Sequence, residues 1–446
     1  SGYNVRGGSV DQNLVLYDGL PVFNSSHVFG FFSTFNAEAI RDVTFYRGGI
    51  PAEFGGRISS VLDIRSKEGD YEKWGGGAGI GMVSSNLMFT GPIKRNKTSV
   101  TGSFRTTYSD WLINTVRSNY VSLDKSAVAF YDGTFKIAHK FSPRTKLTVS
   151  GYGSKDSFRL QGDTTFSWKN SLGSIRLDHQ GKGALSSIFF LGYGTYGYDV
   201  FDRNPESGFN LRYSITYPTA KADFFLRRDN HKFAFGLHNT LYLIKPGSLT
   251  PSGPDSNRKL LEVPGQQSLE SGLYLSDQFD LSGKVQLDMG LRISRFSSLG
   301  AGDVYLYQSG TARLTTSVVD TLHFGAGENI KSYMNFEPRF GSRYSLNENA
   351  SLKFGYNRIF QYLHLVTNTT AVTPIDIWQP SGYYFKPQRV DQFSVGYFRN
   401  TPDKKYEMFA EVYYKKIDNV LDFKDGAQLI LNRQIETDLL QGKARS

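Results

Sequence analysis

The sequence predicts an all-β protein in which a transmembrane antiparallel β-barrel follows part of a small α+β domain that sits in its lumen. Three observations support this prediction. Apolar and polar residues alternate with a period of two from about residue 73 onward. Short and long connections alternate between these stretches. No stretch approaches the roughly 18 consecutive apolar residues that a membrane-spanning helix needs.

Composition narrows the class of protein further. The 446 residues include 34 Phe, 27 Tyr, 4 Trp, 46 Gly and no Cys. Without Cys, a disulfide-stapled scaffold, a thiolate zinc site and a Cys nucleophile are excluded. The hydrophobic content of 39% is too high for a disordered chain. The formal net charge of +10 comes from scattered Lys and Arg without a nucleic-acid-binding motif, so we expect no nucleic acid partner.

The alternation is clearest in three segments, residues 233–243, 285–294 and 406–415, where one set of alternate positions is mostly apolar. In a strand these two sets of side chains point to opposite faces of the sheet. A barrel strand presents its apolar face to lipid and its polar face to the lumen. A mean hydropathy of −0.37 is therefore compatible with membrane strands, because each outward apolar residue is averaged with an inward polar one.

The connections give the stronger signal. Short connections rich in turn residues lie at 94–97, 141–144, 180–183, 228–231, 281–284, 346–349 and 401–404. Longer connections lie between them at 109–126, 159–164, 199–209, 245–266, 298–333 and 363–387. An outer-membrane barrel has this asymmetry, with short periplasmic turns and long extracellular loops. A soluble β-sandwich or propeller is the alternative, but a propeller would repeat every 40–50 residues or so, and no such repeat is present.

The alternating segments predict fifteen strands, and a sixteenth near Gly442. The strands are predicted at 74–82, 85–93, 97–108, 127–140, 145–158, 165–180, 184–198, 210–228, 231–244, 266–281, 284–297, 333–346, 349–362, 388–400 and 404–417. Single-chain bacterial barrels close on an even number of strands. The chain also begins with Ser1 rather than Met and ends without a clear closing strand. We therefore expect an internal piece of a longer protein.

Residues 1–67 lack the long alternation and form a separate predicted domain, followed by the barrel at 68–446. Within this domain, residues 13–17 are apolar and residues 18–21 form a turn. A short helix is predicted near 37–41. Strands are predicted at 43–46 and 58–64.

Four motifs of this first domain occur in a recognisable order. They are VRGG at 5–8, LVLYDGLP at 14–21, IRDVTFYRGG at 40–49 and EFGGR at 53–57. Together they resemble the plug domain of TonB-dependent outer-membrane receptors. Barrel segments at 335–340, 361–365, 373–378 and 388–397 resemble the broad SusC-like branch of that family.

The resemblance implies a fold and a function. The fold would be a plugged 22-stranded barrel, of which about 15–16 strands are present here, in the outer membrane of a Gram-negative bacterium. The function would be import of a siderophore, oligosaccharide, peptide or cofactor, energised by the TonB–ExbB–ExbD complex through a contact box that this chain does not contain. The alternative is a plugged receptor or assembly partner that binds another surface protein, such as a lid-like lipoprotein, and transports nothing.

The resemblance also implies a ligand site. The segment after the turn at 18–21 would form the apex of the plug and contribute Phe23, Asn24, Ser25, Ser26 and His27. Arg6 lies at a motif position that can approach the ligand. Trp378, Tyr383 and Tyr384 in the loop 363–387 are candidate aromatic platforms. The structural alternatives are an ordinary polar turn for the first group and a loop core or membrane-interface girdle for the aromatic residues.

A second group of residues is assigned structural or gating roles in the plug. These residues are Gly7, Gly8, Asp18, Gly19, Pro21, Arg47, Gly48, Gly49, Glu53, Gly55, Gly56 and Arg57. The glycines permit positive φ and a close approach to the wall. The charged residues of the plug motifs are expected to pair with polar side chains on the wall; they are Arg6, Arg41, Arg47, Glu53 and Arg57.

No motif indicates catalysis. The seven His are scattered and lack metal-ligand spacing, so neither a metal site nor a cofactor is expected. An outer-membrane enzyme would place Ser/His or Asp/His groups at one rim of the barrel, and His364 with Asp376 is the single pair that fits this description. A plug would be superfluous in such an enzyme, and we therefore expect no enzymatic activity.

Overall fold

The computed structural model of the protein describes residues 2–27, 30–108, 126–159, 164–366 and 375–446. The first part of the chain forms a small four-stranded sheet in the order β2-β1-β6-β5. Its strands are β1 (Asn13–Tyr17), β2 (Leu20–Pro21), β5 (Ile40–Tyr46) and β6 (Ser60–Ser66). Strand β1 runs parallel to β6, and the other pairs are antiparallel. A separate two-stranded hairpin consists of β3 (Ser26–His27) and β4 (Phe32–Ser33).

The rest of the chain forms a closed antiparallel barrel around this domain. Its strands are β7 (Gly75–Ile80), β8 (Ser84–Lys94), β9 (Thr98–Thr107), β10 (Ala127–Ser142), β11 (Thr145–Arg159), β12 (Thr164–Gln180), β13 (Leu185–Asp202), β14 (Phe209–Arg228), β15 (His231–Pro251), β16 (Leu261–Glu262), β17 (Gln266–Asp280), β18 (Val285–Leu299), β21 (Asn329–Asn347), β22 (Ala350–Gln361), β25 (Gln388–Asn400), β26 (Glu407–Phe423) and β27 (Leu439–Arg445). Two hairpins in the long loops complete the strands: β19 (Gly302–Tyr307) with β20 (Val318–Phe324), and β23 (Leu363–Leu365) with β24 (Trp378–Pro380).

Each predicted barrel strand overlaps an observed one, and β27 contains Gly442. The main differences are on the long-loop side, where several strands continue past their predicted ends. Strand β15, for example, runs to Pro251 rather than to residue 244. Backbone pairing with the neighbouring strand continues to Pro251, beyond the residues in which apolar and polar positions alternate. The prediction rested on this alternation and therefore ended the strand too early.

The helix predicted near 37–41 is wrong. The described residues of the first domain contain no α-helix, and residues 37–39 form a single 3₁₀ turn. Asn36 caps this turn by accepting a hydrogen bond from the backbone N–H of Glu38 at 3.1 Å. Strand β5 begins directly after the turn at Ile40, because pairing with β6 offers these residues more hydrogen bonds than one further helical turn. The α+β description of this domain is therefore corrected to all-β.

The alternation of faces is confirmed in the barrel. Leu273 and Leu275 are 56% and 57% exposed on the outer face, whereas Tyr274 between them is 2% exposed and points inward. The largest buried cluster lies inside the barrel, between the small sheet and the wall. There the rings of Tyr17 and Tyr152 lie 5.0 Å apart. No helix in the described part of the chain is long and apolar enough to cross a membrane.

Candidate functional site

The turn between β1 and β2 is held by its first residue. Asp18 has a φ of 46°, and its carboxylate accepts hydrogen bonds from the backbone N–H of Ser66 at 3.0 Å and from the Ser66 hydroxyl at 2.6 Å. The ammonium of Lys136 on the wall lies 3.0 Å from the same carboxylate. The left-handed conformation favours Asp, Asn or Gly. The sequence therefore places Pro21 at the end of a rigid turn against the wall, where Tyr217 donates to its carbonyl at 2.6 Å.

Phe23 is the aromatic centre of the segment that follows. Its ring lies 5.0 Å from the ring of Trp378, 5.2 Å from Tyr217 and 5.8 Å from Tyr196. Trp378 is 5% exposed, and its backbone N–H donates to the hydroxyl of Tyr213 at 3.1 Å. The structure therefore brings two of the predicted ligand residues, Phe23 and Trp378, into one aromatic cluster.

The polar residues next to Phe23 form a tight turn. The side chain of Asn24 accepts a hydrogen bond from the backbone N–H of Ser26 at 3.3 Å. The carbonyl of Asn24 accepts from Asn170 on the wall at 3.1 Å, and the carbonyl of Ser25 accepts from the N–H of Thr34 at 3.2 Å. These contacts orient the turn, while its side chains remain half-buried beside the lumen.

His27 differs from its neighbours because it is fully buried. Its Nδ1 lies 2.8 Å from the carboxylate of Asp156, and its Nε2 lies 3.3 Å from that of Asp132. Its imidazole stacks on Phe130 at 4.2 Å. Burial lowers the pKa of His27, but the hydrogen bonds and charges of the two carboxylates outweigh burial, so its pKa is raised.

Arg6 lies apart from this group, on the other side of the domain. It forms a 2.5 Å ion pair with Glu411 on β26, and its guanidinium lies over the ring of Tyr413 at 5.3 Å. The same guanidinium packs so closely on the backbone of Gly48 that a Cβ there would lie 2.5 Å from it. The structure therefore does not bring Arg6 together with Phe23.

Tyr383 and Tyr384 pack away from the aromatic cluster, near the hairpin β19–β20. The hydroxyl of Tyr384 accepts from the N–H of Tyr305 at 2.6 Å and donates to its carbonyl at 3.0 Å. Tyr383 is 42% exposed. The predicted platform is therefore divided into a buried Trp378 and a tyrosine pair on the outer loops.

The segment 50–57 is anchored by arginines of the wall. Arg292 donates to the carbonyl of Glu53 at 3.1 Å, and Arg339 donates to that of Phe54 at 2.6 Å. Arg339 also forms a 3.1 Å ion pair with the fully buried Glu337. The side chain of Arg292 passes so close to Gly55 that a Cβ at this position would lie 2.5 Å from it, which explains the need for glycine.

The charged residues of the motifs meet the wall in different ways. Arg57 donates to the carbonyl of Leu363 at 3.2 Å and lies 5.1 Å from the centre of the Trp378 ring. Arg47 lies over the ring of Phe409 at 4.8 Å. Arg41 pairs with Asp42 on its own strand, so the pairing that we expected with the wall is not found for it.

Two of the cavities that flank this domain bear on its function. The larger, of about 480 Å³, lies between the domain and the wall and extends toward the short turns, where Lys146 and Asp178 line it. The smaller, of about 50 Å³, lies on the side of the loop that carries Asp376 and Trp378. The residues that border both cavities are Leu14, Pro21, Phe23 and Arg57.

Family models match both parts of the chain. The model described as TonB dependent receptor-like, beta-barrel matches residues 57–446, and the TonB-dependent receptor plug domain matches residues 1–61. The chain belongs to the TonB-dependent receptor family. Its first domain is the plug, and the protein is located in the outer membrane of a Gram-negative bacterium. The family and its solved members here are receptors and transporters rather than enzymes.

Solved structures share this plugged-barrel fold. The FrpB iron transporter from Neisseria meningitidis has a TM-score of 0.63 at 13% identity, over 92% of this chain and 66% of its own. The siderophore receptor PirA from Pseudomonas aeruginosa has a TM-score of 0.62 at 14% identity, over 94% and 69%. The ferric-catecholate import receptor Fiu from E. coli K12 has a TM-score of 0.65 at 13% identity, over 98% and 69%. The chain thus spans about two thirds of the length of these structures, and no curated protein matches it.

These similarities concern the family and the fold. The SusC-like branch, the fragment status and the ligand residues stay predictions. The domain boundary between 67 and 68 also stays a prediction; β6 ends at Ser66 and β7 begins at Gly75.

Sequence reasoning missed the wall residues that hold the plug of this receptor. These are Arg105, Asp132, Asp156, Arg292 and Arg339. Arg339 lies in the family-like segment 335–340, but no motif assigned it a role, and the other four lie in no motif. Their signal is a charge at an inward position of an alternating strand, which is expensive in a lumen unless the plug or a neighbouring strand pairs with it.

Among the described residues, no group of three or more His, Asp or Glu side chains is placed to hold a metal ion. His364 contacts Ser381 at 3.0 Å, whereas Asp376 accepts from Tyr196 at 2.9 Å. His364 and Asp376, the pair considered for an enzyme, therefore have separate partners.

Proposed function

We propose that this chain forms the plug, residues 1–67, and much of the barrel, residues 68–446, of an active outer-membrane nutrient importer. The observation that supports it is the cavity of about 480 Å³ between plug and wall. Four plug residues border both this cavity and the smaller one on the long-loop side. In this proposal, a local rearrangement of these residues connects the two cavities without unfolding the plug.

The ligand site of this importer lies on the long-loop side of the plug. Phe23, Asn24 and Ser25 line the smaller cavity together with Trp378. Aromatic rings and half-buried polar side chains are the usual composition of a small-molecule site. Tyr383 and Tyr384 on the outer loops form a first contact surface in this proposal, and Arg6 holds the plug rather than the ligand.

The energy for import comes from the TonB–ExbB–ExbD complex of the inner membrane. TonB would add a strand to a segment of the receptor, which is β-augmentation, and pull on the plug. Hydrogen bonds from Arg292 and Arg339 hold the carbonyls of Glu53 and Phe54 to the wall, and these bonds can be exchanged for water during movement. Apolar plug–wall contacts are also present, so movement of the plug costs the energy of exposing part of them.

The test is an uptake screen with a strain that lacks this receptor, across siderophores, oligosaccharides, peptides and cofactors. We expect one class to require the receptor, and its uptake to be lost when TonB is deleted. Replacing residues 24–26 with Gly/Ser should weaken ligand binding while the barrel still assembles. The matched control is the same replacement at 308–310 between β19 and β20. Stoichiometric co-purification with a surface lipoprotein and no TonB-dependent uptake would contradict the proposal and support a non-transporting receptor.

A further inference from the structure

The apex segment, defined here as residues 24–27 and 30–34, is tied to the barrel wall by four consecutive strands. Strand β9 contributes Arg105, which donates to the carbonyl of Ser33 at 2.6 Å. Strands β10 and β11 contribute Asp132 and Asp156, which contact His27. The remaining contacts come from Tyr152 on β11, which donates to the carbonyl of Thr34 at 3.1 Å, and from Asn170 on β12.

Among these contacts of the described residues, only those of His27 use a titratable side chain of the plug; the others use its backbone carbonyls. Its side chain is 0% exposed, and those of Asp132 and Asp156 are 1% and 3% exposed. Arg105 forms a 2.6 Å ion pair with Asp132. An imidazolium at His27 therefore supplies a second positive charge beside two buried carboxylates. Buried charges need such pairing, because burial without it is costly.

Two carboxylates favour the charged form of the imidazole. Its Nδ1 hydrogen-bonds to Asp156 at 2.8 Å, and its Nε2 lies 3.3 Å from Asp132, a contact at ion-pair distance without hydrogen-bond geometry. The guanidinium of Arg105 faces Asp132 rather than the ring. The Tyr17 phenol of the plug stays neutral, because burial raises its pKa.

We propose that the imidazolium of His27 is a proton-dependent latch that holds the apex segment against the barrel wall in the resting plug. The proposal rests on the proposed function in one respect, since it takes the plug as the part that moves. Releasing the latch frees the segment that carries Asn24 and Ser25, so the latch regulates the same ligand site. It also assigns His27 a positioning role in place of direct ligand contact.

The direction of the pH effect follows from the raised pKa of His27. A group whose pKa is higher in the folded state stabilises that state fully below its ordinary pKa of 6.5. The stabilisation is lost as the pH rises through the folded value. A neutral imidazole can keep its hydrogen bond to Asp156 but loses the charge attraction to both carboxylates, while Asp132 retains its ion pair with Arg105. The apex segment is therefore held below pH 6.5 and loosened as the pH rises through the raised pKa of His27.

The test is hydrogen exchange of the receptor in detergent micelles from pH 6 to 9, corrected for the intrinsic exchange rate. We expect protection of the amides in the apex segment, such as that of Thr34, to fall by about tenfold over this range. The variant His27→Gln keeps a polar side chain that does not titrate in this range. Protection of the apex amides in this variant should therefore be low and independent of pH. The matched control is His323→Gln, which removes an exposed His–Asp contact of 2.7 Å with Asp303 and should keep the wild-type profile.

Equal pH profiles in wild type and His27→Gln would overturn the proposal, as would protection that does not change with pH in the wild type. If His27→Gln fails to fold, Asp156→Asn provides the test, because it removes one of the two charges that favour the imidazolium. Its transition should then move to lower pH, and an unchanged midpoint would contradict the latch. This experiment measures no transport. Its result can therefore be interpreted even if the importer proposal fails.

Discussion

Arg339 on strand β21 donates through its Nη2 to the backbone carbonyl of Phe54 at 2.6 Å, so the barrel wall holds the plug by its main chain. Arg292 on β18 binds the carbonyl of Glu53 in the same way. The wall therefore supplies the arginine donors and the plug supplies the acceptors, whereas the sequence analysis expected arginines of the plug to pair with the wall. Because every residue has a backbone carbonyl, a hydrogen bond from the wall to the plug backbone does not require a particular residue type in the plug. The plug sequence therefore does not reveal these contacts.

Replacing Arg339 with Met should loosen the segment 50–57. The change removes hydrogen bonds to the plug carbonyls and leaves the buried Glu337 without its 3.1 Å ion-pair partner, which costs about 3–5 kcal/mol. Urea unfolding of the plug, followed by protease accessibility of residues 50–57, measures the loss. The control is Arg295→Met on the outer face of β18, where the side chain is exposed and does not contact the plug. Equal unfolding midpoints for the two variants would refute the anchoring role.

Glu53 should make the stability of the plug depend on pH in the acid range. Burial, followed by the charges of Asp223 and Asp63, raises the pKa of Glu53 from 4.5 to about 7. The native state then binds more protons than the unfolded state between these values, so stability decreases as the pH rises from 4.5 to 7. After a discount for partial exposure, we expect a loss of about 2 kcal/mol.

The measurement is the free energy of unfolding of the plug as a function of pH. Glu53→Gln should remove this part of the slope, whereas Glu38→Gln at an exposed position should retain it. A Glu53→Gln profile parallel to that of the wild type would show that another group titrates.

Asp18→Ala should destabilise the turn between β1 and β2. The substitution removes two hydrogen bonds with Ser66 and the ion pair with Lys136, and it places Ala at a φ of 46°. The sum is about 2–4 kcal/mol. Asp18→Asn tolerates the left-handed conformation and keeps an acceptor, so it should cost less than half as much. Thermal unfolding of the two variants distinguishes them, and equal losses would argue against the turn as the cause.

Leu273→Arg should impair assembly of the barrel. Leu273 is exposed on the outer face of β17, and an arginine near the bilayer midplane costs about 2–4 kcal/mol in such barrels. Folding into phospholipid vesicles, read as the mobility difference between boiled and unboiled protein, measures this effect. Leu281→Arg in a short turn is the control and should fold normally. Normal folding of Leu273→Arg would indicate that this face of β17 does not contact lipid.

The strands were predictable because lipid on one side and a polar lumen on the other impose a period of two on every spanning segment. The loop hairpins were not, since β19–β20 lies outside the membrane, where that constraint ends. The 3₁₀ turn at 37–39 was mistaken for a helix because the same local residues suit both, and only pairing of β5 with β6 decided between them.

The ligand residues show the same limit. The sequence named Phe23 in the plug and Trp378 in a barrel loop as separate ligand candidates, and only the structure brings their rings to 5.0 Å. The sequence could not distinguish His27 from Ser26, its neighbour in the chain, although the first is fully buried and the second is half-buried. That difference depends on Asp132 and Asp156, which are more than 100 residues away.

By itself, the sequence determined the barrel, the plug and the family, because these depend on periodicity and on short motifs that a single chain segment contains. Only the tertiary structure decided which wall strand faces which plug residue. The contact of His27 with Asp156 joins positions 129 residues apart, and that of Arg339 with Phe54 joins positions 285 apart. Such pairs are set by how the plug is rotated inside the barrel, and this rotation is fixed by the sum of many plug–wall contacts, which no local pattern records.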